Sequence, residues 1–406
     1  MLYSFCEAGG ACSKGGGPNG VIFGEDGNLY GTASYGGNFG LPEGVAFELK
    51  RGAHGTWTEA VLYDFCSAQN CTDGSQPESG LIFDAAGNLY GTTYEGGDVG
   101  YGTVFELSPG TNGSWTETVL HSFGAGNDGI FPTAGVIFDS SGNLYGTTSS
   151  GGIHERGTVF ELTPGANGKW TEKLLHSFES PGDIRDGPAG GVVFDAVGNL
   201  YGTTYGGGIV SNRCNANNDT FGCGRVFELT PEADGRWKEI TLHRFNSKDG
   251  ANPSAGVILD AAGNLYGTTF YGGAGHCQDG CGVVFRLSPG KNGIWTEKVI
   301  HDFGVSGETA TEPTAGLTFD TDGNLYGTAS DYFYGRGAVF ELVPNANGGW
   351  TEKILHRWGE CAYGCDPNSA LVFDASGNVY GTTAFGCAGG QCLGTVFEVT
   401  AKPQRN

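Results

Sequence analysis

Short apolar runs between turn-forming residues recur along the whole chain. In residues 80–123, apolar residues are adjacent at 81–83 and at 104–105, and the segments between the runs contain Gly, Pro, Asn or Asp. Such runs, rich in β-branched and aromatic residues, predict β-strands. Because the apolar residues are adjacent rather than alternating, both faces of the sheet are expected to be buried. The four predicted strands are A, 80–84; B, 88–93; C, 103–107; and D, 115–123.

This four-strand pattern occurs seven times. The phrase Gly-Asn-Leu-Tyr-Gly-Thr, with Val379 for Leu in the last copy, begins at Gly27, Gly87, Gly142, Gly198, Gly263, Gly323 and Gly377. Repeated four-strand units of this length are typical of a β-propeller. We therefore predict an all-β fold in which residues 1–406 form a single domain, a seven-bladed β-propeller with four-stranded antiparallel blades. The repeats lie near residues 20–65, 80–123, 135–178, 191–245, 256–303, 316–358 and 370–400.

The two ends of the chain predict how the ring closes. The seventh repeat stops after its third strand, whereas residues 1–5 resemble strand D of the first repeat at residues 61–65. The N-terminal strand is therefore expected to complete the last blade and to close the propeller. Gly91 and its equivalents interrupt strand B, and we expect them to make room for an aromatic ring of the next blade.

Composition and charge narrow the range of functions. The chain has 76 Gly, 12% aromatic residues and 16% charged residues, which suits a turn-rich β-protein. A formal net charge of −23 argues against a nucleic-acid partner, because such binding depends on clustered Lys and Arg. No apolar segment reaches the roughly 18–20 residues needed for a membrane span. We expect an acidic, monomeric protein.

The twelve cysteines fall into six local pairs. Regular local pairing predicts disulfides and an extracellular or periplasmic location. Zinc binding is the alternative, because two pairs have Cys-x3-Cys spacing, but the pairs are scattered over different repeats and we assign no metal to them. The pairs are Cys6 with Cys12, Cys66 with Cys71, Cys214 with Cys223, Cys277 with Cys281, Cys361 with Cys365, and Cys387 with Cys392.

Residues that recur in every repeat are interpreted as scaffold. One recurrent position near the end of strand D is occupied by His121, His176, His243, His301 and His356, with Tyr3 and Tyr63 in the remaining repeats. Because they lie on different blades, these histidines are not expected to converge on one metal ion. The recurrent strand C glutamates, such as Glu106, are expected to be paired or solvated. The recurrent strand A aspartates, such as Asp84, are expected to form turns.

A further set of aspartates opens the loop between strands D and A. An Asp-Gly turn is the simpler interpretation of these residues. The alternative is a loop-bound calcium ion near the mouth of the central channel, since Ca²⁺ prefers oxygen ligands. No obligatory cofactor is expected. The four aspartates are Asp73, Asp128, Asp186 and Asp249.

Features that differ between repeats concentrate in the loops joining B to C and D to A. These loops emerge on one side of the molecule, the loop face, and the short A-to-B and C-to-D turns form the opposite turn face. The loop residues suit acid–base chemistry on an anionic or sugar substrate, glycan binding without chemistry, or no special role. Catalytic residues are not assigned. The candidate ligand-binding residues are His154, Glu155, Arg156, Arg213, Asp219, His276, Asp279, Tyr332, Tyr334 and Arg336.

The long repeated phrase also resembles a known family. Gly-x-Ile-Phe-Asp-x-x-Gly-Asn-Leu-Tyr-Gly-Thr-Thr, followed by Gly-Thr-Val-Phe-Glu-Leu-Thr-Pro and Trp-Thr-Glu, is similar to the GloVer (Gloeo/Verruco) tandem repeat of exported bacterial proteins. The resemblance implies export but no established activity and no catalytic residues. We expect a binding or scaffold propeller that recognises a carbohydrate or a cell-surface partner through its disulfide-stapled loop face. The alternative is a polysaccharide-active lyase or hydrolase with its site on the same face.

Overall fold

The computed structural model describes residues 1–5, 14–37, 43–179, 187–210, 214, 222–305, 310–330, 337–359, 364–386 and 393–400. Over these residues the strands form seven blades, as predicted. The A strands are Gly16–Phe23, Ile82–Phe83, Ile137–Phe138, Val193–Phe194, Ile258–Leu259, Thr318–Phe319 and Val372–Phe373. The B strands are Leu29–Tyr35, Leu89–Thr93, Leu144–Thr148, Leu200–Thr204, Leu265–Thr269, Leu325–Ala329 and Val379–Phe385.

The outer two strands of the first six blades are longer than most of the A strands. The C strands are Val45–Arg51, Thr103–Pro109, Thr158–Pro164, Arg225–Pro231, Val283–Pro289, Ala338–Pro344 and Thr395–Val399. The D strands are Trp57–Asp64, Trp115–Ser122, Trp170–Ser177, Trp237–Arg244, Trp295–Asp302, Trp350–Arg357 and, in the seventh blade, Tyr3–Ser4. Short extra strands lie at Gly129–Ile130, Ser150–Gly151 and Cys365–Pro367. One-turn 3₁₀ helices lie at Ala53–Gly55, Gln69–Cys71, Thr111–Gly113, Ala166–Gly168 and Lys291–Gly293.

Every blade is an antiparallel A-B-C-D sheet, and the hydrophobic core lies between blades. Val104 and Phe105 are both fully buried, but on opposite sides of the second blade. Val104 packs with residues of the third blade, and Phe105 packs with residues of the first. The adjacent apolar residues in the sequence therefore reflect burial on both faces, as predicted.

The same ring contact fastens each blade to the next. A Phe directly after or at the end of strand D stacks edge-on or tilted against the strand C Phe of the following blade, as Phe123 does on Phe160 at 5.1 Å between ring centroids. Such pairs add stability beyond their buried area. In the sixth blade Trp358 replaces the first Phe, 5.0 Å from Phe397.

The N-terminal strand closes the propeller, as predicted. Tyr3 pairs with Val396 in antiparallel register, so residues 3–4 supply strand D of the seventh blade. Phe5 then contacts Phe47 of the first blade at 5.0 Å between centroids, which is the same ring contact as at the other junctions.

One prediction about the glycines was wrong. A Cβ atom on Gly91 would collide with the Phe105 ring, and Phe105 is the strand C partner of Gly91 in the same blade, not a residue of the next blade. The glycine is required because the Phe105 ring occupies the space that a side chain on the neighbouring strand of its own sheet would need. The predicted A strand was also too long, because only Ile82–Phe83 pairs as a strand before the turn begins at Asp84.

Strand D carries a β-bulge at the same point in the first six blades. In the third blade Val159 pairs with His176 but Phe160 pairs with Leu174, so Leu175 is the extra residue. A bulge turns the side chains that follow it. Here it precedes the recurrent His or Tyr position of strand D, and it therefore helps to direct that ring towards the next blade.

Candidate functional site

The loop face is held together by pairing between its two kinds of loop. The D-to-A segment pairs with the end of strand B of the blade that it leads into, at Ser75 with Glu95, Pro188 with Thr204, and Ala251 with Tyr271. In the third blade the pairing extends to two residues on each side. The B-to-C and D-to-A loops therefore emerge together, and the loop face is a built surface rather than a set of independent loops.

Three of the predicted disulfides are present within the described residues. They join residues that are 5, 9 and 4 positions apart in the sequence, so each closes a short loop on the loop face. Such closed loops have fewer conformations to lose when a ligand binds. The three disulfides are Cys66–Cys71, Cys214–Cys223 and Cys277–Cys281.

The other three disulfides stay predictions, because at least one cysteine of each lies outside the described residues. Cys365 is described and is disulfide-bonded, whereas its predicted partner Cys361 is not described. For the remaining two pairs neither cysteine is described, so the structure gives no geometry for them. These pairs are Cys6 with Cys12 and Cys387 with Cys392.

Half of the predicted ligand-binding residues can be placed. His154, Glu155 and Arg156 are consecutive in the B-to-C loop of the third blade, where the His154 Nε2 atom lies 3.5 Å from Glu179 Oε2. His276 and Asp279 are in the corresponding loop of the fifth blade, and the His276 amide donates to the Gly304 carbonyl at 3.2 Å. The fourth blade lies between these two groups. The other candidates, Arg213, Asp219, Tyr332, Tyr334 and Arg336, lie outside the described residues.

Aromatic side chains at the end of strand B were not among the predicted site residues. Tyr35, Tyr205 and Phe385 are 41%, 40% and 52% exposed, although each directly follows or ends a buried strand. In the second blade, Tyr94, at the position equivalent to Tyr205, stacks on Phe131 with 4.8 Å between ring centroids. A signal was present in the sequence, because these aromatics follow the recurrent Gly-Thr phrase, at the start of the B-to-C loops that differ between repeats.

Two glutamates lie close to this aromatic pair in the second blade. Burial, together with the charge of Glu95, raises the pKa of Glu78. Burial and the charges of both glutamates raise the pKa of Tyr94 as well. Two neighbouring carboxyl groups in different environments are an arrangement that acid–base catalysis uses.

A second set of polar residues lies at the junctions between D strands of adjacent blades. The recurrent His or Tyr of one blade faces the Trp-x-Glu glutamate of the next blade, as His176 does at 3.3 Å from Glu239 and His301 at 3.6 Å from Glu352. The sequence indicates only that the recurrent histidines belong to the scaffold. It does not reveal these pairs, because the partner glutamate belongs to the following repeat, more than 50 residues away.

At two junctions an aspartate of the D-to-A loop joins the pair. His121 Nε2 lies 2.9 Å from Asp128 Oδ2, and Glu172 of the next blade completes the group. His243, Asp249 and Glu297 repeat the arrangement between the fourth and fifth blades. These loop aspartates therefore contact strand D of their own blade at its junction with the next, not the mouth of the central channel as one interpretation of the sequence had suggested.

These aspartates also form turns, as the simpler interpretation predicted: Asp128 Oδ2 accepts a hydrogen bond from the Gly124 amide at 3.1 Å, and Asp249 Oδ1 accepts one from the Asn246 amide at 2.9 Å. The equivalent aspartate of the first blade is a turn former too. Asp73 Oδ2 accepts hydrogen bonds from the amides of Ser67 and Ala68 and lies 2.8 Å from the Tyr63 hydroxyl. Asp186 lies outside the described residues.

The electrostatics of the junctions differ. Burial, with the charge of Asp73, raises the pKa of Glu117 to about 8. Burial raises the pKa of Glu352 to about 7 and lowers the pKa of His301 to about 4, so both groups of that junction favour their neutral forms. Burial alone would raise the pKa of Glu239, but the hydrogen bond with His176 and the charge of Arg225 outweigh it and the pKa is lowered.

The turn face carries a uniform network that supports the scaffold interpretation. Asp139 Oδ1 accepts hydrogen bonds from the amides of Ser141 and Asn143, at 2.8 and 2.9 Å. The Tyr145 hydroxyl lies 2.9 Å from Glu161 Oε1, which pairs a strand C glutamate as predicted. Although burial opposes it, hydrogen bonding lowers the pKa of Asp139.

The described residues include no helix long and apolar enough to cross a membrane. Among solved structures, an ulvan lyase of a polysaccharide lyase family, bound to the saccharide GlcA(1-4)Rha3S, shares 10% identity over 96% of this chain and 95% of its own, with a TM-score of 0.53. A luciferin-regenerating enzyme shares 15% identity over 80% of this chain and 92% of its own, with a TM-score of 0.47. A protein of unknown function from Dyadobacter fermentans DSM 18053 shares 12% identity over 96% of both chains, with a TM-score of 0.45.

At these identities the structural likeness concerns the fold alone. No curated protein matches the sequence. The family model described as the Gloeobacter/Verrucomicrobia repeat, however, matches residues 1–216 and 213–405, which together include nearly the whole chain. The repeats, the seven blades and this match agree, and the chain belongs to the Gloeobacter/Verrucomicrobia repeat family.

Proposed function

We propose that the protein is an exported binding propeller that recognises a carbohydrate, free or on a cell-surface partner, through its loop face. The observation that carries the proposal is the exposure of Tyr35, Tyr205 and Phe385 at the ends of buried B strands. Exposed aromatic rings on a rigid frame offer flat apolar surfaces to the C–H faces of sugars, with polar loop groups nearby to fix orientation.

The disulfides support both the location and the mode of binding. Disulfides persist in oxidising compartments, which favours an extracellular or periplasmic site of action. Staples at Cys66–Cys71 and Cys277–Cys281 also reduce the conformational entropy that the loops would lose when a ligand binds. A preorganised aromatic surface needs no cofactor for binding.

Binding to an array of acidic and neutral glycans tests this proposal. We expect the wild-type protein to bind a subset of glycans, and we expect Tyr205→Ala and Phe385→Ala to weaken that binding at least tenfold. Ile294→Ala is the matched control, because Ile294 is an apolar side chain 69% exposed on the turn face. Equal loss in the control, or no effect of the aromatic substitutions, would contradict the assignment to the loop face.

A polysaccharide lyase or hydrolase is the second candidate, favoured by the pair Glu78 and Glu95 beside Tyr94. The raised pKa of Glu78 suits a general acid, and Glu95 is the neighbouring carboxyl group that would act as the base. Release of reducing ends, or of unsaturated sugars absorbing in the ultraviolet, would reveal turnover. If the protein is an enzyme of this kind, Glu78→Gln abolishes turnover while glycan binding persists; if it is a binding protein, neither form releases product.

A further inference from the structure

The junctions between the second and third blades and between the fourth and fifth blades each bring together three side chains of types that can bind metal ions. One ligand atom from each of His121, Asp128 and Glu172 lies within 4.8 Å of the other two, and the same holds for the group of His243, Asp249 and Glu297. Zinc binds imidazole nitrogen and carboxylate oxygen at about 2.0–2.2 Å, so tetrahedral ligands are roughly 3.4 Å apart. Small side-chain rotations would bring each group to this spacing.

Both groups contain buried polar atoms that lack hydrogen-bond partners within the described part of the chain. These atoms are Glu172 Oε1 at the first junction and Glu297 Oε1 and His243 Nε2 at the second, where Nε2 lies 3.4 Å from Asp249 Oδ2 without hydrogen-bond geometry. The Asp128 side chain is only 5% exposed. Buried polar atoms in folded proteins normally have partners, and an orphaned buried acceptor is costly. A bound cation would supply the missing partner at both junctions.

The junction between the third and fourth blades already has a cation beside its glutamate, the guanidinium of Arg225. Arg225, at the start of strand C in the fourth blade, places Nη1 2.8 Å from Glu239 Oε1, and His176 lies on the other oxygen of the same carboxylate at 3.3 Å. The residue equivalent to Arg225 in strand C is Thr158 in the third blade and Val283 in the fifth. Neither side chain carries a positive charge, so this strand C position supplies no guanidinium to the other two junctions.

We propose that each of these two junctions binds one divalent transition-metal ion, zinc being the representative, through one histidine and two carboxylates. The ligands come from two adjacent blades, so the ion fastens the edge strands of those blades together. Three protein ligands leave a fourth position for water. The mixed nitrogen and oxygen ligand set favours a transition metal over calcium, which prefers six to eight oxygen ligands.

Isothermal titration of chelator-treated, full-length protein with zinc chloride tests the proposal. We expect two equivalents of zinc for the wild-type protein, one for His121→Tyr, one for His243→Tyr and none for the double variant. Tyr is the natural residue at this position in the first blade, as Tyr63, so the substitution suits the fold. A cobalt-loaded sample should show the visible absorption of a low-coordinate site, at half intensity in each single variant.

His176→Tyr is the matched control. It alters the same strand D position at the junction that Arg225 already serves, and it should leave two zinc equivalents. Zinc should also raise the Tm of the wild-type protein and of the control, and the double variant should lose this rise. Absence of zinc binding, persistence of two equivalents in the double variant, or preference for calcium over zinc would each overturn the proposal.

Discussion

The turn face and the loop face of this propeller are built from the same repeat but by different rules. On the turn face, Asp84, Asp139 and Asp195 hold equivalent turns with nearly equal hydrogen-bond distances. In the first blade Gly24 takes the position of the aspartate, and Asp26 instead accepts the hydrogen bonds from the Asn28 amide and the Tyr30 hydroxyl. The network is therefore preserved even where its residues are not.

On the loop face the backbone pairing of the D-to-A segment recurs, but the side chains and cross-links of the described loops differ from blade to blade. Its disulfides, short extra strands and exposed aromatics occur in some blades and not in others. Stability and specificity are therefore separated in space. Repeated contacts hold the blades together, and the loops, which differ between blades, can recognise a partner. The following predictions test that separation, in order of decreasing effect.

The largest effect on the free energy of unfolding is expected in the hydrophobic core between adjacent blades. Phe160→Ala removes a fully buried ring that contacts Phe123 of the preceding blade, and it should lower the free energy of unfolding by about 3–5 kcal/mol. Chemical denaturation followed by tryptophan fluorescence measures this. Phe385→Ala on the loop face is the control. If both substitutions were equally destabilising, the loop aromatics would belong to the scaffold.

At a junction, the effect should depend on pH. Because burial and Asp73 raise the pKa of Glu117 to about 8, the folded protein holds a proton that the unfolded chain releases above its ordinary pKa. The free energy of unfolding should therefore fall as pH rises from about 5 to 8. Glu117→Gln should weaken this dependence and stabilise the protein at pH 8 by roughly 1–3 kcal/mol, after allowance for partial solvation.

Glu239→Gln is the opposite case. The pKa of Glu239 is lowered by the hydrogen bond with His176 and by Arg225, despite burial, so its charge stabilises the fold at neutral pH. This substitution should destabilise the protein at pH 8, because it removes the carboxylate charge that Arg225 and His176 contact. Denaturation curves for both variants at pH 5 and pH 8 check the sign. Stabilisation by both substitutions would refute the proposed difference between the two junctions.

A smaller effect is expected on the turn face. Asp139→Ala removes the acceptor for two backbone amides and should cost about 1–2 kcal/mol. Since hydrogen bonding holds the pKa of Asp139 below its ordinary value, its contribution is present above the unfolded pKa and is lost as the pH falls. The cost of the substitution should therefore shrink in acid, as thermal unfolding at pH 7 and pH 3 would show.

The smallest effect on stability is expected on the loop face. Tyr205→Ala should change the free energy of unfolding by no more than about 0.5 kcal/mol, because the ring is substantially exposed. The same substitution should have a large effect on glycan binding. Denaturation and glycan binding measured on one preparation separate the two, and a stability loss as large as that of Phe160→Ala would show that the ring supports the fold.

The sequence predicted the seven blades, their strand order and their closure. The reason is that each blade is specified within one repeat. The strand A aspartate, for example, accepts a hydrogen bond from the amide of an asparagine four residues later, as Asp139 does from Asn143. Closure of the ring could be predicted because residues 1–5 carry the strand D pattern that the seventh repeat lacks. Local hydrogen bonding and the recurrence of short apolar runs separated by turn-forming residues suffice for such predictions.

What the tertiary structure decided lies between repeats. Glu172 follows Asp128 by 44 residues, and nothing in the sequence pattern says which rings of one blade face which carboxylates of the next. That choice depends on the strand D bulge and on the angle between adjacent blades, which the packing of rings such as Phe123 and Phe160 sets. The sequence by itself therefore determined the blades, and only their packing determined the His, Asp and Glu groups at the junctions.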